Sequence, residues 1–323
     1  MTTLSIILAQ PRGFCAGVDR AIEIVDKALA IYGAPVYVRH EIVHNKWVVE
    51  DMRARGVVFV DDVAEIPDGA ITVFSAHGIS EKVENEARLR ELPVIDATCP
   101  LVTKVHKEAQ RYENEGRELI LIGHAGHPEV EGTSGRVKQV IHLVENVKDV
   151  EALRVANPDR LAYVTQTTLS VDDTKEVITA LKLRFPNIAG PELRDICYAT
   201  QNRQNAVRAL AAQVELLLVI GSKNSSNSNR LRDLAAEIGV QTHLIDDAKN
   251  LNPHWFDNVS AIGITAGASA PEHLVQGVID AIGKIRAVKV STMDGEQERT
   301  RFKLPPEVTG EKRLALPTAT VSG

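Results

Sequence analysis

A pattern that occurs three times is the feature that most limits how this chain can fold. Each of its three cysteines, Cys15, Cys99 and Cys197, is followed by apolar residues at helical spacing, and two further units of apolar run, polar loop and amphipathic segment come after it. Regular alternation of strand-like and helix-like segments predicts βα units and parallel sheets. The chain is therefore interpreted as three copies of one module, each of roughly one hundred residues.

Polar residues occupy matching places in the three copies, just after the predicted strands. The first place holds His44, then His127 with Glu129, then Ser225, Ser226 and Asn227, and the second holds His77, then Thr167 with Thr168, then Ser269. In parallel α/β sheets, ligands bind beyond the carboxyl ends of the strands. We expect an α/β fold of three similar modules in a pseudo-threefold arrangement, with these loops and the three thiols around one central cleft.

The repeats also predict the domain boundaries. We place three α/β modules at 1–98, 99–195 and 196–285, followed by a C-terminal extension at 286–323. The N-terminal strand is compatible with the first or the third module. The third copy has the weakest pattern, because the segment before its cysteine is polar and suggests an edge strand or a plain connection. The extension is rich in charge, Thr and Pro, which is typical of a flexible or surface-lying segment.

Composition excludes several functional classes. The 323 residues carry a formal net charge of −6 without a dense Lys/Arg block, so no nucleic-acid partner is expected. The apolar runs are much shorter than the ~20 residues of a membrane span, and the N-terminus lacks the basic region of a signal peptide. We therefore expect a cytoplasmic protein without a membrane partner. In that reducing compartment, three cysteines are more often buried, catalytic or metal-binding than disulfide-bonded.

The three thiols are best explained by a shared site. Any one isolated cysteine is usually a small buried hydrophobe, but three at matched positions before helices favour convergence. The N-terminus of a helix also favours a thiolate. Zinc is one option, with a fourth ligand from His40 and His44 or from His124 and His127. A [4Fe–4S] cluster is the more specific option, because three cysteines leave one iron open to substrate or water.

The run Ser225, Ser226 and Asn227 suggests an anion site. Its composition alone is equally typical of a linker, but it follows a Gly-Ser turn and opens an amphipathic helix. Hydroxyl and amide donors at the start of a helix suit phosphate. The segment matches neither the Walker pattern nor G-x-G-x-x-G, so we expect bound phosphate without a nucleotide fold. At equivalent loop positions, His44, His77 and His127 make better sense as diphosphate donors than as isolated surface histidines.

Glu129 is the one acid in a loop otherwise furnished with donors. A carboxylate beside a diphosphate is costly unless it carries a proton, which favours proton delivery with Thr167 or Thr168 as a relay. The simpler alternative is an acid that stabilises the start of its helix through the dipole.

Several motifs together resemble one enzyme family. They are "PRGFCAGVDRA", "DATCPLVTKVH", "GHPEVEGT", "VTQTTLS", "ICYATQNRQ", "GSKNSSNSNRL" and "TAGASAP", in this order and spanning about residues 10–285. These strings are similar to those of the 4-hydroxy-3-methylbut-2-enyl diphosphate reductases, which take the last step of the non-mevalonate isoprenoid pathway. Only the C-terminal extension lies outside the resemblance.

The resemblance implies a reductive dehydroxylation that yields isopentenyl and dimethylallyl diphosphate. It implies a [4Fe–4S] cluster on Cys15, Cys99 and Cys197, with reduced ferredoxin or flavodoxin as the electron donor. Glu129 would supply the proton, and Thr167 would contact the hydroxyl region of the isoprenoid diphosphate. The diphosphate group would be held by His44, His77, His127, Ser225, Ser226, Asn227 and Ser269.

Three alternatives stay open at the level of sequence. The nearest is a hydro-lyase of the quinolinate synthase type, whose three-cysteine cluster acts as a Lewis acid without net electron transfer. A non-enzymatic iron–sulfur sensor or electron carrier is the second, and a zinc-stabilised structural protein is the third. The polar phosphate loops disfavour a bare electron carrier.

Overall fold

Parallel strands form three separate sheets in the computed structural model, which describes residues 3–314. The strands are β1 (Leu4–Leu8), β2 (Val36–Arg39), β3 (Val57–Val60), β4 (Thr72–Phe74), β5 (Val94–Asp96), β6 (Glu118–Ile122), β7 (Ile141–Val144), β8 (Leu161–Thr165), β9 (Leu216–Ile220), β10 (Gln241–Ile245), β11 (Ala261–Ala266) and β12 (Val288–Thr292). Their orders are β3-β2-β4-β5, β7-β6-β8 and β10-β9-β11-β1-β12. The predicted α/β class with parallel sheets is confirmed.

Helices connect the strands in the order that the repeats predict. They are α1 (Ala16–Tyr32), α2 (Lys46–Ala54), α3 (Glu81–Leu89), α4 (Pro100–Asn114), α5 (Pro128–Ser134), α6 (Val147–Ala152), α7 (Val171–Arg184), α8 (Tyr198–Ala211), α9 (Ser226–Glu237) and α10 (Glu272–Ile285). No helix of the described chain combines the length and apolarity needed to cross a membrane.

The helix that follows each cysteine packs against one sheet. Helix α1 shares an apolar core with β2, β4 and β5, α4 with β6 and β8, and α8 with β9. Along α1, Ala21, Ile24, Val25 and Ala28 are buried at helical spacing, so one face of the helix is apolar. Each structural unit therefore extends from one cysteine to the next, and the third unit returns through β1 to Cys15.

Two of the three cysteines are preceded by a strand that pairs in a parallel sheet. Strand β5 pairs with β4 before Cys99, and β1 pairs with β11 before Cys15. Before Cys197 no strand forms; a single parallel bridge joins Ala162 to Ala189. The polar sequence before Cys197 explains this difference, because it lacks the apolar residues that a strand buried between helices needs.

The described part of the C-terminal extension is attached to the fold, which its composition did not predict. Strand β12 pairs with β1 over the whole strand and covers an edge that would otherwise expose unpaired backbone groups. Farther along, Val308 is buried in the core beneath α1. These contacts differ from the expected flexible extension, although β12 does lie at the surface. Residues 315–323 lie outside the described residues.

Candidate active site

A cavity at the carboxyl ends of the strands brings together the predicted thiols, diphosphate donors and proton donor, but not His40 or His124, the two other histidines considered as zinc ligands. The lining includes Cys15, Cys99, Cys197, His44, His77, His127, Glu129, Thr167, Ser225, Ser226, Asn227 and Ser269. Thr168, the alternative relay, lies there as well. In residues 3–314, no group of three or more His, Cys, Asp or Glu side chains surrounds a single ion position.

Each cysteine is the N-cap of a helix and is fixed by its own backbone. The amide N–H of Cys15 donates to Ala268 O at 3.2 Å, that of Cys99 to Ala76 O at 3.0 Å, and that of Cys197 to Thr167 O at 3.0 Å. The three acceptors lie just after β11, β4 and β8, which are equivalent strands of the three sheets. The same local geometry therefore presents each thiol to the cavity.

Gly17 shows how closely two of these thiols approach from different loops. A Cβ atom at Gly17 would lie 2.7 Å from Cys99 Sγ and 3.8 Å from Cys15 Sγ. Any larger residue would displace the Cys99 sulfur. The sequence analysis did not single out this glycine, because its role depends on a contact with a residue of another unit.

Burial keeps the three thiols protonated in the absence of a bound cation. It raises the pKa of Cys99 to about 12 and that of Cys197 to about 11, and the neighbouring thiols add to both shifts. Burial also raises the pKa of Cys15, while the nearby Arg203 guanidinium opposes that shift. Because metal ions bind thiolates, a cation in this cavity would displace the protons from the thiols. It would also offset the cost of burying the negative thiolates.

Three histidines form a compact group in the cavity lining. The His44 and His77 rings stack with centroids 4.1 Å apart, and His127 meets them edge-on at 5.8 and 6.2 Å. Burial, followed by the proximity of the other rings, lowers the pKa of His127 to about 3 and moves that of His77 well below 6.5. These two rings are therefore neutral near pH 7 when no anion is bound, and a bound anion would raise both pKa values.

The start of α9 adds hydroxyl and amide groups. Ser225 Oγ caps the helix by accepting from Ser228 N at 3.3 Å, and Ser269 Oγ donates to His44 O at 2.8 Å. Asn227 Oδ1 accepts from Ala268 N at 3.0 Å. Its Nδ2 is buried and finds no partner within residues 3–314. A buried donor without an acceptor is costly, so this amide is expected to serve a ligand.

Glu129 and Thr167 form a buried pair. Thr167 N donates to Glu129 Oε2 and Thr167 Oγ1 donates to Oε1, both at 2.9 Å. Burial raises the pKa of Glu129 above 4.5, and the two hydrogen bonds from Thr167 partly oppose this. The carboxyl group is therefore suited to hold a proton inside the cavity.

Two further residues at the site were not found by sequence reasoning. Gln166 Nε2 donates to Thr168 Oγ1 at 2.8 Å, and Thr168 Oγ1 donates to Ser226 Oγ at 3.2 Å, so a polar chain links β8 to α9. Phe302 lines the cavity from the C-terminal extension. Gln166 could have been predicted, because it directly precedes Thr167 and Thr168 in the sequence. No sequence pattern predicts that Phe302 reaches the cavity.

The cavity lining is nearly free of formal charge. Among its described residues there is no Lys or Arg, and Glu129 is the only carboxyl group. The groups available to an anion are therefore imidazole, hydroxyl and amide donors.

This fold and this cavity define a class of protein: a three-module α/β enzyme with converging thiols at its centre. The model of the LytB protein family matches residues 6–283. The chain is 59% identical to 4-hydroxy-3-methylbut-2-enyl diphosphate reductase 1 of Rhodopseudomonas palustris, over 94% of this chain and 99% of that one. It is 60% identical to the reductase of that name from Pseudomonas entomophila, over 94% and 98%. The chain belongs to the LytB family and is an oxidoreductase.

Solved structures agree with the family assignment. The E-1-hydroxy-2-methyl-but-2-enyl-4-diphosphate reductase of Plasmodium falciparum superposes with a TM-score of 0.90 at 37% identity, over 96% of this chain and 98% of that one. A second reductase structure, described as the terminal enzyme of the non-mevalonate pathway, gives a TM-score of 0.64 at 35% identity, over 87% and 100%. The three-module architecture predicted from the sequence is thereby confirmed.

Replacing Glu129 with Gln tests the protonated carboxyl. Because the folded pKa is raised, the folded chain keeps a proton that the unfolded chain loses near its ordinary pKa of about 4.5. Wild-type stability should therefore fall relative to Glu129→Gln as the pH rises from about 4.5 to the raised pKa, and the difference should then stay constant. Urea unfolding at several pH values measures it.

Glu131→Gln, at an exposed position on the same helix, is the matched control for this titration. A stability difference between wild type and Glu129→Gln that does not change with pH would contradict the raised pKa.

Proposed function

We propose that this protein reduces 4-hydroxy-3-methylbut-2-enyl diphosphate to isopentenyl and dimethylallyl diphosphate, using two electrons and two protons and releasing the hydroxyl group as water. The observation that carries the proposal is that three thiols from three modules line the same cavity as a set of imidazole, hydroxyl and amide groups suited to a diphosphate. The names of relatives that are 59% and 60% identical over nearly their whole length support the same reaction.

The cavity is proposed to hold a [4Fe–4S] cluster on Cys15, Cys99 and Cys197. The close approach of two sulfurs to Gly17 is sterically possible only without a side chain there, and the buried thiols gain most from a positive group. When bound, the cluster would supply two electrons in turn and one iron without a cysteine ligand, which acts as a Lewis acid toward the leaving hydroxyl. The remaining chemistry falls to the side chains of this chain.

The diphosphate group is proposed to bind His44, His77, His127, Ser225, Ser226, Asn227 and Ser269. Asn227 Nδ2 would gain the acceptor that it lacks, and the two neutral histidines would become better donors as the anion raises their pKa values. This end of the substrate does not react. Its binding energy therefore serves to place the allylic alcohol toward the thiol end of the cavity.

Glu129 is proposed as the proton donor. Its Oε2 accepts from Thr167 N, so the proton is best carried on Oε1; Oε1 would then donate to Thr167 Oγ1, 2.9 Å away, in place of accepting from it. Thr167 would thus orient the substrate hydroxyl and pass the proton across the cavity. Thr168 belongs to the chain of hydrogen bonds toward Ser226 and is better suited to hold the diphosphate end.

The electrons are proposed to come from reduced ferredoxin or flavodoxin in the cytoplasm. The support is the relationship to reductases of this pathway. The proposed reaction also needs two electrons from a donor outside this protein. No nucleic acid or membrane partner is proposed.

Turnover by the anaerobically purified chain tests the function. With a reduced one-electron donor and 4-hydroxy-3-methylbut-2-enyl diphosphate, the chain should form both isomeric diphosphates, consume two electrons for each product and contain about four irons per chain. Cys99→Ser is the control and should lose iron and activity together. Conversion without electron consumption would indicate a hydro-lyase, and stoichiometric zinc with no turnover would contradict the reductase.

Asn227→Asp tests the diphosphate site with little change of shape. The variant keeps the acceptor for Ala268 N but replaces the unpartnered donor with a carboxylate that repels the anion. KM should rise at least about tenfold, with a much smaller change in kcat, because the interaction is with a part of the substrate that does not react. Asn205→Asp, at an exposed position, makes the same change of charge outside the cavity. A loss confined to kcat would contradict this role.

A further inference from the structure

The first of three related contacts is made by Arg20. This residue lies on α1, one turn and a half after Cys15, and its Nη1 donates to Thr98 O at 3.0 Å. Thr98 immediately precedes Cys99. A cation on the helix that follows one cysteine thus holds the loop that precedes the next cysteine.

Lys104 makes the second contact. It occupies the same position on α4, five residues after Cys99, and its Nζ donates to Arg194 O at 2.9 Å and to Asp195 Oδ1 at 3.2 Å. The Asp195 side chain is fully buried, and its Oδ2 accepts from Thr165 N. Both acceptor residues lie just before Cys197 in the chain. The pattern seen at Arg20 is therefore repeated in the next module.

Arg203 makes the third contact and closes the series. It lies on α8 after Cys197, is fully buried, and donates from Nη2 and Nε to Gly13 O at 2.7 and 3.1 Å. Nη2 also donates to Phe14 O at 3.2 Å, immediately before Cys15. Glu298, from the C-terminal extension, pairs with the guanidinium at 3.0 Å and compensates its charge.

The three contacts form a ring. We propose that Arg20, Lys104 and Arg203 are positioning residues that act as a cyclic clamp, in which each cation ties the helix after one cysteine to the loop before the next. The order is Cys15 to Cys99, Cys99 to Cys197, and Cys197 to Cys15. One cation therefore fixes the relative position of each pair of cysteines.

The architecture explains why such a clamp is needed. The three sheets share no strand in the described chain, so ladder hydrogen bonds do not fix the loops of one module relative to those of another. The backbone contact of each cysteine ties it only to the sheet that precedes it. Charge-assisted hydrogen bonds to carbonyls add a directional link between the start and the end of each module.

Burial of Arg203 supports a role in specifying geometry. A fully buried guanidinium gives little net stability, because its desolvation offsets most of the attraction to a carboxylate. Here it satisfies the carbonyls of residues 13, 14 and 199 as well as Glu298. What the arrangement provides is a unique position for the loop that carries Cys15.

The clamp rests on the proposed function, because it concerns how the proposed cluster ligands are placed, but its test requires no iron. The full-length chain, stripped of metal by a chelator under reducing conditions, is treated briefly with N-ethylmaleimide. Alkylation of Cys15, Cys99 and Cys197 is then quantified separately by peptide mass spectrometry. Wild type is compared with Arg20→Met, with Lys104→Met, and with Arg203→Met combined with Glu298→Gln.

The cyclic order predicts which thiol each variant exposes. Arg20→Met should speed alkylation of Cys99, Lys104→Met that of Cys197, and the Arg203 variant that of Cys15. Each increase should be at least about tenfold, equivalent to about 1.4 kcal/mol of loop-opening free energy. Lys104→Arg should restore protection of Cys197, because it keeps the positive donor. Lys27→Met on α1 and Lys107→Met on α4 are matched controls that should leave all three rates unchanged.

Other patterns would overturn the clamp. If each cation only stabilised its own helix, Arg20→Met would expose Cys15 and Lys104→Met would expose Cys99. Equal exposure of all three thiols would indicate general loosening of the fold. Lys104 is the decisive position, because its ammonium is half-exposed and Lys104→Arg separates loss of the positive donor from a change of residue. Iron content and turnover of the loaded wild type report on the proposed function separately, so either idea can fail alone.

Discussion

The convergence of parallel strands is the constraint on which the rest of this structure depends. Since the carboxyl ends of the strands in each sheet lie at one edge, the loops that follow them are brought together at that edge. Three copies of this arrangement deliver the three thiols, the three histidines and the start of α9 to one cavity. The helix that begins at each cysteine then packs on its own sheet, which fixes the direction of the thiol.

Within that cavity, few side chains carry a charge, and the amide of Asn227 lacks a hydrogen-bond partner in the described chain. His77 and His127 are neutral, the thiols are protonated and Glu129 holds its proton more tightly than an exposed acid does. Burial destabilises the charged form of each of these groups, and a bound ion of opposite charge would relieve that cost. We propose that a metal group and a diphosphate provide this relief, and that the proposed reductase activity uses both.

Much of this arrangement follows from local patterns. Cys15, Cys99 and Cys197 could be placed together because each precedes an amphipathic helix, and the polar residues after the strands because parallel sheets present them at one edge. Phe302, Glu298 and the burial of Arg203 could not be predicted with equal ease, because they depend on where the C-terminal extension crosses the other modules. One signal was present: Arg203 lies on the apolar face of α8, four residues after Ala199 and four before Val207, both buried.

Electron paramagnetic resonance tests the central claim most directly, namely that the thiol end and the diphosphate end of the cavity act on one molecule. The chain is purified anaerobically, reduced with dithionite, and measured alone, with inorganic diphosphate, and with 4-hydroxy-3-methylbut-2-enyl diphosphate. The account predicts a reduced [4Fe–4S] signal whose shape changes strongly with the allylic-alcohol diphosphate and little with inorganic diphosphate. A cluster signal that the substrate leaves unchanged, or no cluster signal after reconstitution, would contradict it.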